Sequence, residues 1–235
     1  MAKTSLAVSA SSPYLIAMSG GSGSGKSTAA EGLLEACKSV GAVIFAEDGY
    51  YWPMAHYGPA ETEEQRQAII ARVDYDDPAS KETSLMARQL ADLKAGRTIE
   101  QPIYDYDLHD RKAETKTIEP APIIILEGIH ALSVPEVRPL IDLSIYVDTP
   151  DDLRLARRIR RDVVERGRSV ESVLAQYLGT VRAAHYRHTF PAKFEADLVI
   201  ADEGLPAYGQ VRPSDEAIGR MLAPILARLR SEGAL

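Results

Sequence analysis

The sequence predicts an α/β fold built on a parallel five-stranded sheet flanked by helices. Two observations predict it. Five short apolar runs alternate with helical patterns, the rhythm of a parallel sheet with crossover helices, and the first run leads straight into a glycine-rich loop, Met18-Ser-Gly-Gly-Ser-Gly-Ser-Gly-Lys-Ser-Thr28. The runs are Tyr14–Met18, Ala42–Ala46, Ile123–Leu126, Leu143–Val147 and Leu198–Ile200.

The loop after the first run carries the most chemistry. Gly20, Gly25, Lys26 and Ser27 fit G-x-x-x-x-G-K-[ST], in which backbone N–H groups cradle a polyphosphate, the lysine reaches the β/γ-phosphates and the hydroxyl ligates Mg²⁺. Ala29, Leu33, Leu34 and Cys37 follow at helical spacing, so a helix N-terminus adds its dipole to the anion site. A flexible Gly/Ser linker has no reason to place Lys-Ser after its last glycine between a strand and a helix. Gly20, Gly21, Ser22, Gly23, Ser24, Gly25, Lys26, Ser27 and Thr28 are therefore the expected nucleoside triphosphate site.

The whole chain sets bounds. Its 235 residues, 45% of them hydrophobic, suffice for one well-buried domain with insertions. Residues 1–13 read as a loose tail and 14–235 as a single domain, with an insertion over about 50–122 and a lid over about 158–190. The single cysteine, Cys37, excludes an internal disulfide framework and suits a reducing, cytoplasmic setting. No apolar stretch has signal-peptide or membrane-span character. A net charge of -7 argues against coating nucleic acid, which needs a basic footprint.

Four of the five runs end in or beside a carboxylate: Glu47-Asp48, Glu127, Asp148 and Asp202. Strand carboxyl ends form the ligand crevice of an open parallel sheet. Asp148 and Asp202 read as turn or cap residues. Glu127, after a buried strand, suits Mg²⁺ opposite the Ser27 hydroxyl. Asp48, beside Gly49-Tyr-Tyr-Trp52, suits a general base next to an organic acceptor, or else a turn.

The segment between the second and third runs breaks the βα rhythm and holds six of the eleven tyrosines: Tyr50, Tyr51, Tyr57, Tyr75, Tyr104 and Tyr106. Tyrosine stacks on flat rings while its hydroxyl reads a polar edge, so the cluster points to a base or sugar site. Asp76 could bind sugar hydroxyls and His109 could read a base, or either could be a turn residue.

Seven arginines fall between 154 and 168. Thr149 with Asp152 resembles a capping box and Pro150 suits the first helical position. Arg154 and Arg160 read as a solvated face, whereas Arg158, Arg161, Arg166 and Arg168 are spaced to clamp a transferred phosphoryl group, with Gly167 turning the chain into the lid loop.

Taken in order, GGSGSGKST, EDGYY, YDDP, PIYDYDLHDRKAET, IILEGIHAL, IYVDTP, RRIRRDVVERGRS and QYLGTVR resemble the motifs of the uridine kinase branch of the phosphoribulokinase/uridine kinase group of P-loop kinases, over about residues 15–200. The resemblance implies transfer of the ATP γ-phosphate, with Mg²⁺, to a nucleoside 5′-hydroxyl in pyrimidine salvage, giving UMP or CMP. It implies Asp48 as catalytic base, acting with Lys26 and Arg161. It implies a nucleoside pocket of Tyr51, Tyr75, Asp76, Tyr104, Tyr106 and His109, with Asp76 on the ribose and His109 with Tyr104 on the pyrimidine. Arg158 and Arg161 would then touch phosphate, while Arg166, Arg168 and Gln176 would make lid and nucleoside contacts. A homo-oligomer, often a tetramer, with feedback by pyrimidine triphosphates is also implied.

The chain departs from the family in three places. Ala183 stands where many relatives have proline. Ala201-Asp-Glu-Gly-Leu-Pro206 replaces a basic-glycine turn with an asparagine near the nucleotide base, and the chain has no asparagine at all. The loop after Tyr51, with Trp52 and His56, is longer. Two other functions compete: a kinase of this fold acting on a sugar phosphate or pantothenate-like alcohol, and a nucleotide-gated regulatory ATPase with no small acceptor. The first would want extra cations in the acceptor segment. The second would not need the aromatic pocket.

Overall fold

The computed structural model describes residues 12–202 and 214–235. The tail expected over 1–13 lies almost wholly outside the described residues, as do residues 203–206 of the turn that departs from the family.

The five apolar runs form one parallel sheet. β1 (Tyr14–Ser19) lies at its centre, in the order β2 (Ala42–Ala46), β5 (Ile123–Glu127), β1, β6 (Leu143–Asp148), β7 (Leu198–Ala201). Helices cover both faces, which is why the central strands are apolar throughout rather than alternating. On one face, α1 (Lys26–Ala36) and α7 (Asp215–Ser231) pack Ala29, Leu33, Leu222, Ile225 and Leu229 against Ile16, Met18, Ile125 and Ile145. The apolar side chains Ile218, Met221, Leu222, Ile225, Leu226 and Leu229, at helical spacing in α7, thus belong to the core. On the other face, α3 (Thr83–Lys94) packs Met86, Leu90 and Leu93 against Leu15, Phe45, Ile124 and Leu126.

Chain order reverses around β1, whose neighbours are β5 on one side and β6 on the other. Ligands bind at such a switch point. In register, Met18 and Ala46 both lie beside Glu127, so the phosphate loop, Glu47-Asp48 and Glu127 emerge at one edge of the sheet.

The segment after β2 forms a separate arm. It contains α2 (Glu63–Arg72), capped by a reciprocal Thr62–Gln65 box, then α3, then an antiparallel hairpin of β3 (Ile99–Asp105) and β4 (Asp110–Ile118). The hairpin register shifts between Pro102 and Tyr104, and its tip turns through His109 at φ 49. Gln101 Nε2 donates to the Ala46 carbonyl at 3.2 Å, tying the hairpin to β2.

After β6 comes α4 (Asp151–Arg166), closed by Gly167 in the left-handed region at φ 61, as a turn there requires. Its start differs from the expected capping box. Pro150 is the N-cap rather than the first helical residue, and its apolar ring has no acceptor for the helix N–H groups, while the Thr149 hydroxyl donates instead to the Ser24 carbonyl at 2.9 Å, bracing the phosphate loop. α5 (Val170–Gln176) leads into π-helical turns, Tyr177–Val181 and His185–Thr189, on either side of the short α6 (Arg182–Ala184). Ala183 sits inside this continuous helical path. No helix among the described residues is long and apolar enough to cross a membrane.

Candidate active site

At the head of α1 the Ser27 hydroxyl donates to Glu127 Oε1 at 3.0 Å, and Lys26 Nζ lies 3.4 Å from the same oxygen. Burial pushes the Glu127 carboxyl above the usual range, with the Lys26 charge opposing it. These are oxygen donors on a deeply set carboxylate. They fit Mg²⁺, which takes few protein ligands and completes its shell with phosphate and water. Among the described residues no group of three or more His, Cys, Asp or Glu could hold an ion unaided.

Asp48 stands at the end of β2, in a 3₁₀ turn over Glu47–Tyr50. Tyr106 donates its hydroxyl to Asp48 Oδ2, and Lys81 Nζ lies 3.3 Å from Oδ1. Burial works to raise this carboxyl, but the Lys81 and Lys26 charges and the Tyr106 hydrogen bond outweigh it, holding Asp48 well below the carboxylate range. The group remains about half exposed to the cleft.

From Asp48 the aromatic residues run outward in contact. Tyr51 packs on Tyr75 and Tyr104 at ring separations of 5.9 and 4.9 Å, Tyr75 on His109 at 5.1 Å, and Tyr104 on Tyr106 at 5.4 Å. The Tyr75 and Tyr104 hydroxyls are buried and face each other, with no other polar group to bond to. Burial lowers the His109 pKa, and Arg168, Arg66 and Arg166 lower it further, which favours the uncharged ring. Asp76, almost fully buried, is raised by burial and drawn back by Arg158. Tyr50 is the exception: it closes the 3₁₀ turn and stacks on Phe45 in the core, fully buried. Tyr57 lies at the rim, its hydroxyl directed to the Ser80 carbonyl. Trp52 and His56 stack on each other at 4.1 Å.

The arginine wall closes the third side. Arg158 donates to Ser22 Oγ at 3.0 Å and to Gln176 Oε1 at 2.9 Å, joining the phosphate loop to α5. Arg161 reaches the same serine at 3.5 Å, Arg168 donates to Gln176 at 2.6 Å, and the Arg166 guanidinium lies 4.1 Å over the Tyr106 ring. Arg158, Arg161, Arg166 and Arg168 all surround the fully buried Asp162, at 3.7, 2.8, 3.5 and 3.4 Å.

Two expectations fail here. Arg154 is not on a solvated face but buried against Gly21 and Gly23, paired with Asp151 at 2.5 Å; Arg160 is exposed. Asp202 is not a simple turn residue. It is buried, pairs with Arg157 at 2.6 Å and comes close against Gly25. Asp148 pairs with Lys193 at 2.7 Å.

Sequence reasoning missed Lys81, the buried partner of both Glu47 and Asp48, and Asp162, whose one signal was a carboxylate four residues after Arg158 inside an arginine block. It also missed Arg111, which binds the Tyr50 and Tyr51 carbonyls and pairs with Glu82 at 2.7 Å. Gly128 is a further hidden constraint, since a Cβ there would lie 1.6 Å from Glu47 Oε2. Gly128→Ala should therefore push Glu47 out of place and cost about 2–3 kcal/mol by overpacking. A urea midpoint lower than wild type by about 1 M, that free energy divided by an m-value of about 2–3 kcal/mol/M, with kcat reduced as well, is the expected reading.

Residues 15–205 match the model of the phosphoribulokinase/uridine kinase family. The chain belongs to this family. It is a kinase. The uridine kinase of Alkaliphilus metalliredigens is 42% identical over 192 residues, spanning 82% of this chain and 88% of that protein, and the uridine kinase of Clostridium novyi is 43% identical over the same shares. Among solved structures, phosphoribulokinase from Rhodobacter spheroides superposes with a TM-score of 0.59 at 17% identity, covering 87% of this chain and 77% of that one. That likeness is one of fold.

Proposed function

We propose that this kinase transfers the γ-phosphoryl group of Mg-ATP to the 5′-hydroxyl of uridine or cytidine, giving UMP or CMP and ADP. The observation that carries the reading is the position of Asp48, clamped between Lys81 and Tyr106 where the phosphate loop meets a pocket of tyrosines. Curated relatives named uridine kinase at 42–43% identity support the acceptor class.

Asp48 accepts the hydroxyl proton as the acceptor oxygen bonds to the γ-phosphorus and the bond to the β–γ bridging oxygen breaks, leaving ADP. Its low pKa keeps it ionised across neutral pH, so it takes the proton only as the attacking oxygen becomes strongly acidic. Lys26 and the loop N–H groups hold the β/γ-phosphates. Arg158 and Arg161, both already at Ser22, face the transferred charge. A Mg²⁺ ion held by Ser27 and Glu127 would neutralise β- and γ-oxygens. The buried Tyr75 and Tyr104 hydroxyls, which have only each other, face a pyrimidine edge, with His109 beside them, and Asp76 accepts from ribose hydroxyls. Arg166, Arg168 and Gln176 close over the pocket and exclude water. We place the reaction in a cytoplasmic homo-oligomer working in pyrimidine salvage.

ADP release from Mg-ATP by purified protein tests this, with no acceptor, uridine, cytidine, ribulose 5-phosphate or pantothenate. Release that requires uridine or cytidine is expected. Activity with another alcohol alone would move the acceptor, and release indifferent to all of them would make the chain a regulatory ATPase.

A further inference from the structure

Lys81 is 3% exposed, an unusual place for an ammonium. Its backbone is pinned by an antiparallel bridge to Tyr51, and the next residue, Glu82, donates its N–H to the Tyr50 carbonyl at 2.8 Å. The side chain therefore enters the site from the acceptor arm on a fixed stem. Nζ lies 2.7 Å from Glu47 Oε1, 3.3 Å from Asp48 Oδ1 and 4.5 Å above the Tyr51 ring. Glu47 is fully buried, and its other oxygen accepts the His130 N–H at 2.9 Å.

A buried ion pair is a poor source of stability, since desolvating two charges offsets their attraction. A hydrophobic pair would serve the core as well. What the pair adds is directional. The two oxygens of Asp48 are held by different groups, Oδ1 by Lys81 and Oδ2 by Tyr106, which fixes the plane of the carboxylate and leaves its remaining lone pairs facing the cleft. Without Lys81, the adjacent Glu47 charge would sit uncompensated beside Asp48 and one of its two restraints would be lost.

We propose that Lys81 is a positioning residue for phosphoryl transfer: with Tyr106 it clamps Asp48 in the orientation that receives the acceptor's proton, and Glu47 is the buried counter-charge that keeps the ammonium there. The proposal rests on Asp48 being the base. Lys81 touches neither substrate in this role and acts through Asp48 alone.

The test compares wild type, K81M, the charge-neutral double variant E47Q/K81M, D48N and the triple variant E47Q/K81M/D48N, by thermal midpoint and by kcat and KM for uridine and ATP. If K81M does not fold, the double variant carries the test, since it leaves no unpaired buried charge. The expected result is a double variant with a thermal midpoint near wild type, both KM values within about threefold, and kcat lower by about thirtyfold, part of the range a positioned base supplies. In the D48N background the same two changes should cost almost nothing more, because groups that act as a unit are non-additive. A double variant with wild-type kcat would overturn the proposal and make the pair purely structural. A further thirtyfold loss on top of D48N would also overturn it, by showing that Lys81 acts elsewhere, while leaving Asp48 as base. D48N with near wild-type kcat would instead remove the base assignment itself, and the proposal with it.

Discussion

Asp48→Asn is expected to lower kcat by about a thousandfold while leaving KM for ATP within a few-fold of wild type. Asparagine keeps the shape of the side chain and can still accept from the Tyr106 hydroxyl, which the aspartate does now. It cannot take a proton. Lys81 retains Glu47 at 2.7 Å, so the ammonium is not orphaned and the fold should persist. The folded-state pKa of Asp48 lies below its ordinary value. Its contribution to stability is therefore present above the unfolded carboxylate pKa and is lost only as pH falls through the lower folded value. On the role proposed for Asp48, base catalysis should accordingly stay available on the acid side down to pH about 5. Steady-state kinetics across pH 5–8 check both points. A variant within fivefold of wild type would sink the assignment.

Asp162→Asn is expected to destabilise the protein by about 3–5 kcal/mol, the cost of removing one partner from a buried charge cluster, and so to lower the thermal midpoint by about 10 °C. Four guanidinium groups converge on this fully buried carboxylate, and the neutral amide would leave them facing one another. Arg161, Arg166 and Arg168 are each about 30% exposed, so solvent screening reduces their share and Arg158, 7% exposed, carries most of it. Inorganic phosphate should restore part of the midpoint in the variant more than in wild type, because it replaces the missing negative charge. Differential scanning fluorimetry with and without phosphate reads both effects. An unchanged midpoint would mean that contacts such as those to Ser22, Gln176 and the Tyr106 ring hold the arginines without Asp162.

The parallel sheet, the phosphate loop and its helix were legible because each rests on a local pattern: apolar runs of strand length, a glycine spacing, a helical period. The edge shared by Asp48 and Glu127 was legible because parallel strands end together. Contacts between distant segments left no such trace. Lys81 sits in a polar loop and becomes buried only because that loop bridges to Tyr51. Arg154 shares its helix with exposed arginines, and only packing against the phosphate loop separates it from them. Tyr50 and Tyr51 are neighbours in one motif, yet one stacks in the core and the other in the pocket. Thr149 had the spacing of a helix cap and spends its hydroxyl on Ser24 instead.

The hairpin that carries Tyr104, Tyr106 and His109 is a two-stranded ribbon, and a ribbon of that kind is marginal unless it leans on something else. Here it leans on a few polar ties, among them Gln101 to β2 and Arg111 to the Tyr50 and Tyr51 carbonyls, with the buried ends Ile99 and Ile118 in the core below. Such a unit opens at a lower free energy than the five-stranded sheet. Amide hydrogens of 99–118 should then exchange with solvent through excursions that leave the donor half folded. The enzyme would keep its grip on one substrate while the surface that selects the other detaches and re-forms.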